Sequence, residues 1–238
     1  MSKRLVSFDE AKKVLQKRFS AEPVGTEHMP LSEANERVLA KDIVASMDVP
    51  PFNRATVDGY AVKAKDTFGA DETNSITLRI CGRINVGESP ITVVEDGSAA
   101  EIATGAPIPQ GADAVIMLEH TIRKGANIIL YRSVSKGENV MKAGSDIKKD
   151  DTILRKGQTL SSWEIGVLAA LGLAKVEVYK RPKVAIISTG PEIVEPGKPL
   201  HSGKIYDINA HTLSTAVLEC GGQPFNLGIV PDEADKLE

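Results

Sequence analysis

From Val62 to about Val140 the chain offers no stretch that could hold a long helix. Its apolar runs are short, as at Ile76–Ile80, Ala114–Leu118 and Ile128–Tyr131, and each is soon broken by Gly, Pro, Asn or Asp. Runs of that length between turn formers read as strands and turns. This middle third is therefore expected to be an all-β module, and the rest of the chain must be arranged around it. Only 4% of the 238 residues are aromatic, so the core is expected to be aliphatic.

The flanks have a different character. Ser7-Phe-Asp-Glu10 has the spacing of a capping box, with Ala11, Val14, Leu15 and Phe19 following at helical intervals. Ser32–Ala40 reads as a second helix, and Asp42-Ile-Val44 leads out of it extended. Further on, Ser161-Ser-Trp-Glu164 repeats the capping box ahead of Ile165–Leu171, and Gly172 stands at the natural stop. Trp163, in the first turn, reads as a packing residue. Val184–Ile187 is a continuous aliphatic run ending in Ser188-Thr-Gly190, as in a parallel strand buried on both faces. Asn209–Cys220 supplies a helix and Phe225–Val230 the next strand, which together make one βαβ unit. Ligands of such sheets bind beyond the carboxyl ends of the strands. Two strands do not complete such a domain, so either the chain is a fragment or the first helix packs here to supplement a partial sheet.

Between the flanks and the β module lies Asp48–Val62, reading DVPPFNRATVDGYAV. Two prolines make its first half a stiff, extended arm. Asp58-Gly59 reads as a turn, with glycine supplying positive φ. An acid on a rigid turn between apolar runs is a candidate functional carboxylate. Taken alone, an Asp that merely caps its own turn is the favoured reading.

Other loops carry acceptors or anion-binding groups. Thr104-Gly105 follows a strand, with Pro107 and Pro109 stiffening the exit; Asp146 sits in a glycine loop; Glu192 lies just past the Ser188-Thr189-Gly190 turn. Carboxylates on separate loops suit a hard cation such as Mg²⁺, which takes few protein oxygens. Small turns that expose N–H groups suit an oxyanion. No base can be assigned to Thr104 or Ser188, so neither reads as a nucleophile. The four histidines are scattered and read as ordinary surface or loop residues. Composition narrows the class. A net charge of −3 without a basic run argues against nucleic acid, and no apolar run reaches the ~18 residues of a membrane span. Cys81 and Cys220 lack close partners and suggest a reducing compartment. A cytoplasmic protein is expected.

Several blocks in order then resemble one family. They are Leu31-Ser-Glu-Ala-Asn-Glu-Arg-Val-Leu39, Asp48–Val62, Thr104-Gly-Ala-Pro-Ile-Pro109, Gly111-Ala-Asp-Ala-Val-Ile-Met117, Ala143-Gly-Ser-Asp-Ile147 and Ile187-Ser-Thr-Gly-Pro-Glu192. Together they are similar to the molybdopterin molybdenumtransferase (MoeA) family, relatives of the gephyrin E domain. The resemblance implies a multidomain α/β plus β-rich fold. A β-rich domain over 46–149 would be inserted into a small α+β domain of 26–45 and 150–180. Residues 1–25 and 181–238 would form a partial parallel α/β (MogA-like), molybdopterin-binding domain.

It also implies an enzyme that inserts molybdenum from molybdate into adenylylated molybdopterin and releases AMP with Mg²⁺. The N-terminal portion by itself is expected to be impaired. Carried over by motif, Asp58 and Glu192 would be catalytic. Thr104, Gly105, Ser188 and Thr189 would bind the cofactor substrate, and Asp58, Asp146 and Glu192 the metal. Arg54 and Lys142 are looser candidates for positive groups near the anions. A homodimer is implied, with a small-molecule substrate and the molybdopterin adenylyltransferase as a candidate partner. The alternative is a non-catalytic dimerisation or scaffold module of the gephyrin type. This sequence departs from the family at Glu36, where Gly is common, and at Pro191, where Asp is common.

Overall fold

The computed structural model describes residues 6–19 and 22–231. The chain divides into two compact units, one of residues 43–154 and the other of 1–42 with 155–238.

In the second of these, α1 (Phe8–Arg18) begins at the expected capping box. Glu10 N donates to Ser7 Oγ at 3.3 Å and Ser7 N to Glu10 Oε2 at 3.1 Å. Yet α1 buries none of its residues, and Phe8, Leu15 and Phe19 remain exposed. Strand β1 (Thr26–Pro30) follows. The helix expected over 32–40 is absent: one 3-10 turn spans Leu31–Glu33, then Glu36 adopts φ 60° and its N–H donates to Leu160 O at 2.8 Å. A left-handed residue cannot continue a right-handed helix. Val38 and Leu39 instead bridge to Thr159 and Val178.

Residues 43–154 form the β-rich unit. Its short pairs are β2 (Ile43–Val44) with β11 (Thr152–Leu154) and β3 (Arg54–Ala55) with β10 (Val140–Met141). A mixed six-stranded sheet joins β4 (Gly59–Val62), β5 (Ile76–Ile84), β6 (Ser98–Ile102), β7 (Ala114–Met117), β8 (Thr121–Lys124) and β9 (Asn127–Leu130). Their order is β7-β4-β6-β5-β9-β8, with only β5 and β6 parallel. Side chains alternate between two cores. Tyr60, Val62, Ala99 and Ile116 join one, and Ala61, Ala100, Ile102 and Val115 the other. Period-two alternation into two buried faces explains why every residue of β4 is buried.

After residue 155, α2 (Ser162–Ala170) starts on the expected box, with Ser161 N donating to Glu164 Oε2 at 2.9 Å, and ends at Gly172 with φ 74°. Trp163 does not pack: it is 83% exposed. Strand β12 (Lys175–Tyr179) pairs antiparallel with β1. The βαβ unit is β13 (Lys183–Thr189), α3 (Asn209–Glu219) and β16 (Gln223–Val230), with β13 and β16 parallel. A minor parallel pair, β14 (Ile193–Val194) and β15 (Ile205–Tyr206), lies in the connection. Burial of β13 on both faces does not hold. Only Ile186 and Ser188, two apart and so on one face, are buried, while Val184 and Ile187 stay exposed.

Candidate functional site

Asp58 sits directly before β4, and Gly59 fixes it there for a reason other than a turn. Gly59 has no positive φ; a Cβ at that position would lie 1.9 Å from Ile116 O on β7. The glycine permits close backbone approach. Two strands away in sequence, Thr104 follows β6 and closes on the acid. Thr104 N donates to Asp58 Oδ1 at 2.7 Å and Thr104 Oγ1 to the same oxygen at 3.0 Å. These bonds, the backbone one foremost, hold the Asp58 carboxyl below its ordinary pKa because they stabilise the charged form. Among the described residues, Asp58 Oδ2 has no hydrogen-bond partner. The expected pair of acid and hydroxyl is therefore assembled. Gly105 does not offer its amide, which donates to Ala55 O at 2.8 Å; its φ of 83° turns the chain instead.

Asp58 opens into a cavity of about 230 Å³ lined also by Gly59, Arg83, Glu101, Ile102 and Leu118. Arg54 and Lys142, the cations suggested by sequence, do not line it. The Arg54 guanidinium rests on Met141 Sδ at 3.2 Å, and Lys142 lines a different cavity with Asn53 and Asp113. Asp146 is positioned by the proline arm. Its N–H donates to Val49 O at 3.0 Å, Val49 N to Ile147 O at 2.8 Å, and Lys149 N to Asp48 Oδ1 at 2.8 Å. Asp146 lies in the same unit as Asp58 but not in the wall of its cavity.

The remaining candidates belong to the βαβ unit, at the carboxyl end of β13. Ser188 is 5% exposed, and among the described residues its buried Oγ has no hydrogen-bond partner. Thr189 and Glu192 are exposed. Glu192 curls back over Gly190, where an added Cβ would meet Glu192 Oε2 at 2.6 Å. Pro191 fits the turn: Ile193 N donates to Gly190 O at 3.4 Å, leaving Pro191 at the second turn position, where its fixed φ belongs.

Sequence reading missed Asp207. It is 6% exposed and accepts from Ala210 N at 3.0 Å, capping α3. That bond, the nearby Ser188 hydroxyl and His211 lower its pKa. The Ser188 hydroxyl is thus near enough to favour the Asp207 carboxylate, although its Oγ meets no partner of full hydrogen-bond geometry among the described residues. Asp207 and His211 line a cavity of about 330 Å³ with Glu195, Asn226 and Gly228. The missed signal was the Asp placed three residues before a helical amide.

Among the described residues, no three His, Cys, Asp or Glu side chains converge as a metal cage. Mg²⁺ does not require one, since one or two carboxylates and ligand oxygens suffice. Asp58, with one oxygen fixed by Thr104 and the other unpartnered, fits that manner of binding.

Together these units define a mixed protein, part β-rich and part parallel α/β, with acids and hydroxyls at strand ends. A family model described as the MoeA N-terminal region (domain I and II) matches residues 6–172. The chain belongs to that family. It is 37% identical over 217 residues to a molybdopterin molybdenumtransferase of Haemophilus influenzae, covering 91% of this chain and 52% of the relative. The Staphylococcus aureus protein of the same name is 36% identical over 208 residues, covering 87% and 49%. The crystal structure of a molybdopterin biosynthesis MoeA protein from Pyrococcus horikoshii superposes with a TM-score of 0.89 at 43% identity, covering 98% of this chain and 59% of that one. The chain thus spans about half the length of the curated relatives it matches. No helix among the described residues is long and apolar enough to cross a membrane.

Proposed function

We propose that this chain supplies part of the site at which molybdenum from molybdate is ligated to adenylylated molybdopterin, with release of AMP. The transferase names of the relatives support this over a scaffold role. The observation that carries it is the Asp58–Thr104 pair, a carboxylate kept ionised on a rigid strand end beside a cavity.

In this reading Asp58 holds the cation and Thr104 fixes which Asp58 oxygen is presented, while Asp146, outside that cavity wall, and Glu192, in the other unit, are each proposed as a further functional carboxylate. Mg²⁺, when bound, would neutralise charge along the substrate's phosphates. Ser188, whose buried hydroxyl has no full hydrogen bond among the described residues, and Thr189 contribute hydroxyls to the pterin or phosphate end of the substrate. Asp207 joins them through its cavity. The β13–α3–β16 unit is assigned to the MogA-like, molybdopterin-binding part of the family fold, and the working protein to a cytoplasmic homodimer.

The test is molybdate-dependent AMP release from adenylylated molybdopterin by the protein carrying this chain. Asp58→Ala and Glu192→Ala should each lose on the order of a hundredfold or more in turnover while remaining folded. Wild-type rates in both variants would rule the assignment out.

A further inference from the structure

Arg83, the penultimate residue of β5, lines the Asp58 cavity and has no role in the reading above. The parallel β5–β6 register sets it opposite Glu101. Its Nε is 3.8 Å from Glu101 Oε1, an ion pair too long to be a hydrogen bond. Arg123 Nη1 takes the other carboxylate oxygen at 3.1 Å. Glu101 is thus doubly compensated, and it is the least exposed of the three, its side chain 29% exposed against 68% for Arg83 and 57% for Arg123. Among the described residues, the Arg83 guanidinium donates no hydrogen bond, so its planar fork of N–H groups is held by charge yet free to bind.

An exposed arginine is ordinarily just solvated. This one shares a concave wall with Asp58, whose Oδ2 is unpartnered. A carboxylate that accepts a cation and a guanidinium that accepts an anion, in one cavity, are complementary to a ligand carrying both. A divalent cation bound to a pyrophosphate group has that pattern. We infer that Arg83 is an anion-binding residue of the Asp58 site, taking an oxyanion oxygen of a cation-bound pyrophosphate, with Glu101 as the positioning residue that aims it. The inference rests on the reading of Asp58 given above and adds the substrate group that its cavity receives.

The two oxyanion sources in that reading, a phosphate chain and molybdate, are separated by the choice of probe. Calorimetric titration of the protein carrying this chain with inorganic pyrophosphate plus Mg²⁺, and separately with molybdate plus Mg²⁺, reads the affinity directly. Arg83→Gln should weaken pyrophosphate binding roughly tenfold, the scale of one charge-assisted contact. Arg83→Lys should recover part of the loss, since it keeps the charge but not the fork. Glu101→Gln should weaken binding less, and Lys12→Gln in α1 should leave it unchanged. Circular dichroism confirms folding of each variant.

If only the molybdate titration responds to Arg83→Gln, the anion-binding role stands and the pyrophosphate assignment is overturned. If Arg83→Gln binds as wild type while Asp58→Asn loses Mg²⁺-dependent binding, the inference is overturned and the Asp58 reading survives. If Asp58→Asn also binds as wild type, or if the wild-type protein binds neither probe, both are overturned.

Discussion

The strand ends that carry Asp58 and Ser188 are supported in contrasting ways. Asp58 precedes a strand whose four residues are all buried between two cores, and Thr104 satisfies its inner oxygen twice. Ser188 lies near the end of β13, which among the described residues pairs on one edge only, with exposed valine and isoleucine in the same strand and a buried hydroxyl without a full hydrogen bond. Buried polar groups are nearly always paired in folded proteins. The first site is therefore held by close hydrogen bonds, whereas among the described residues the Ser188 hydroxyl has only the looser neighbourhood of Asp207. Substitutions that probe rigidity should separate the two.

The sharpest separation comes from their glycines. At Gly59 an added methyl would collide with backbone at 1.9 Å, so Gly59→Ala is expected to cost about 3 kcal/mol or more. At Gly190 the nearest atoms belong to the flexible end of Glu192, and the cost comes mainly from φ 139°. Gly190→Ala should cost about 2 kcal/mol. Urea unfolding of both variants measures the gap, and a larger loss at Gly190 would invert the comparison. Next in size is Asp207→Ala, which leaves Ala210 N without its acceptor and should cost about 1 kcal/mol, in line with a lost helix cap. A denaturation midpoint unchanged from wild type would show that the cap carries no weight.

What could be read from the sequence was local. Ser7/Glu10 and Ser161/Glu164 are partners three residues apart, so the spacing alone reveals them, and Gly172 announces its stop. The strands of 76–84, 114–117 and 127–130 were legible because short apolar runs between turn formers leave little else. The failures involve partners distant in the chain. Residues 32–40 carry a helical pattern, yet Leu160 O and the bridges to Thr159 and Val178 draw them into extended pairing. Gly59 looked like a turn residue because its constraint is the carbonyl of Ile116. Gly105 looked like a free donor because Ala55 O is not adjacent in sequence. Arg83 belongs to no local motif at all, since the β5–β6 register alone brings it to Glu101 and the Asp58 cavity. Of the site, the family motifs marked Asp58 and Thr104, and the geometry supplied why they meet.

Glu36 gives a smaller effect, of opposite sign. It holds φ 60°, a conformation that costs a residue with a Cβ about 1–2 kcal/mol, while glycine adopts it freely. Glycine also enlarges the entropy of the unfolded chain, which offsets part of the gain. Glu36→Gly should therefore stabilise the chain by about 0.5 kcal/mol in thermal unfolding. A destabilised variant would mean that the Glu36 side chain contributes more than its backbone strain removes.

The smallest effect is on the Asp58 titration. Two donors from Thr104 depress it, the backbone N–H more than the hydroxyl. Thr104→Ala removes only the hydroxyl, so the Asp58 pKa should rise yet stay below the ordinary carboxylate value, as read by carbon NMR of its carboxyl. The sign for stability follows from linkage. A depressed folded pKa contributes stability above the unfolded value of about 3.9, and that contribution fades as pH falls through the lower folded value. Thr104→Ala should therefore shrink the difference between stability at neutral pH and at acid pH without reversing it. A return of Asp58 to its ordinary pKa would show that the hydroxyl, not the amide, dominates. An unmoved titration would remove the hydroxyl from the site, leaving a carboxylate held by backbone alone.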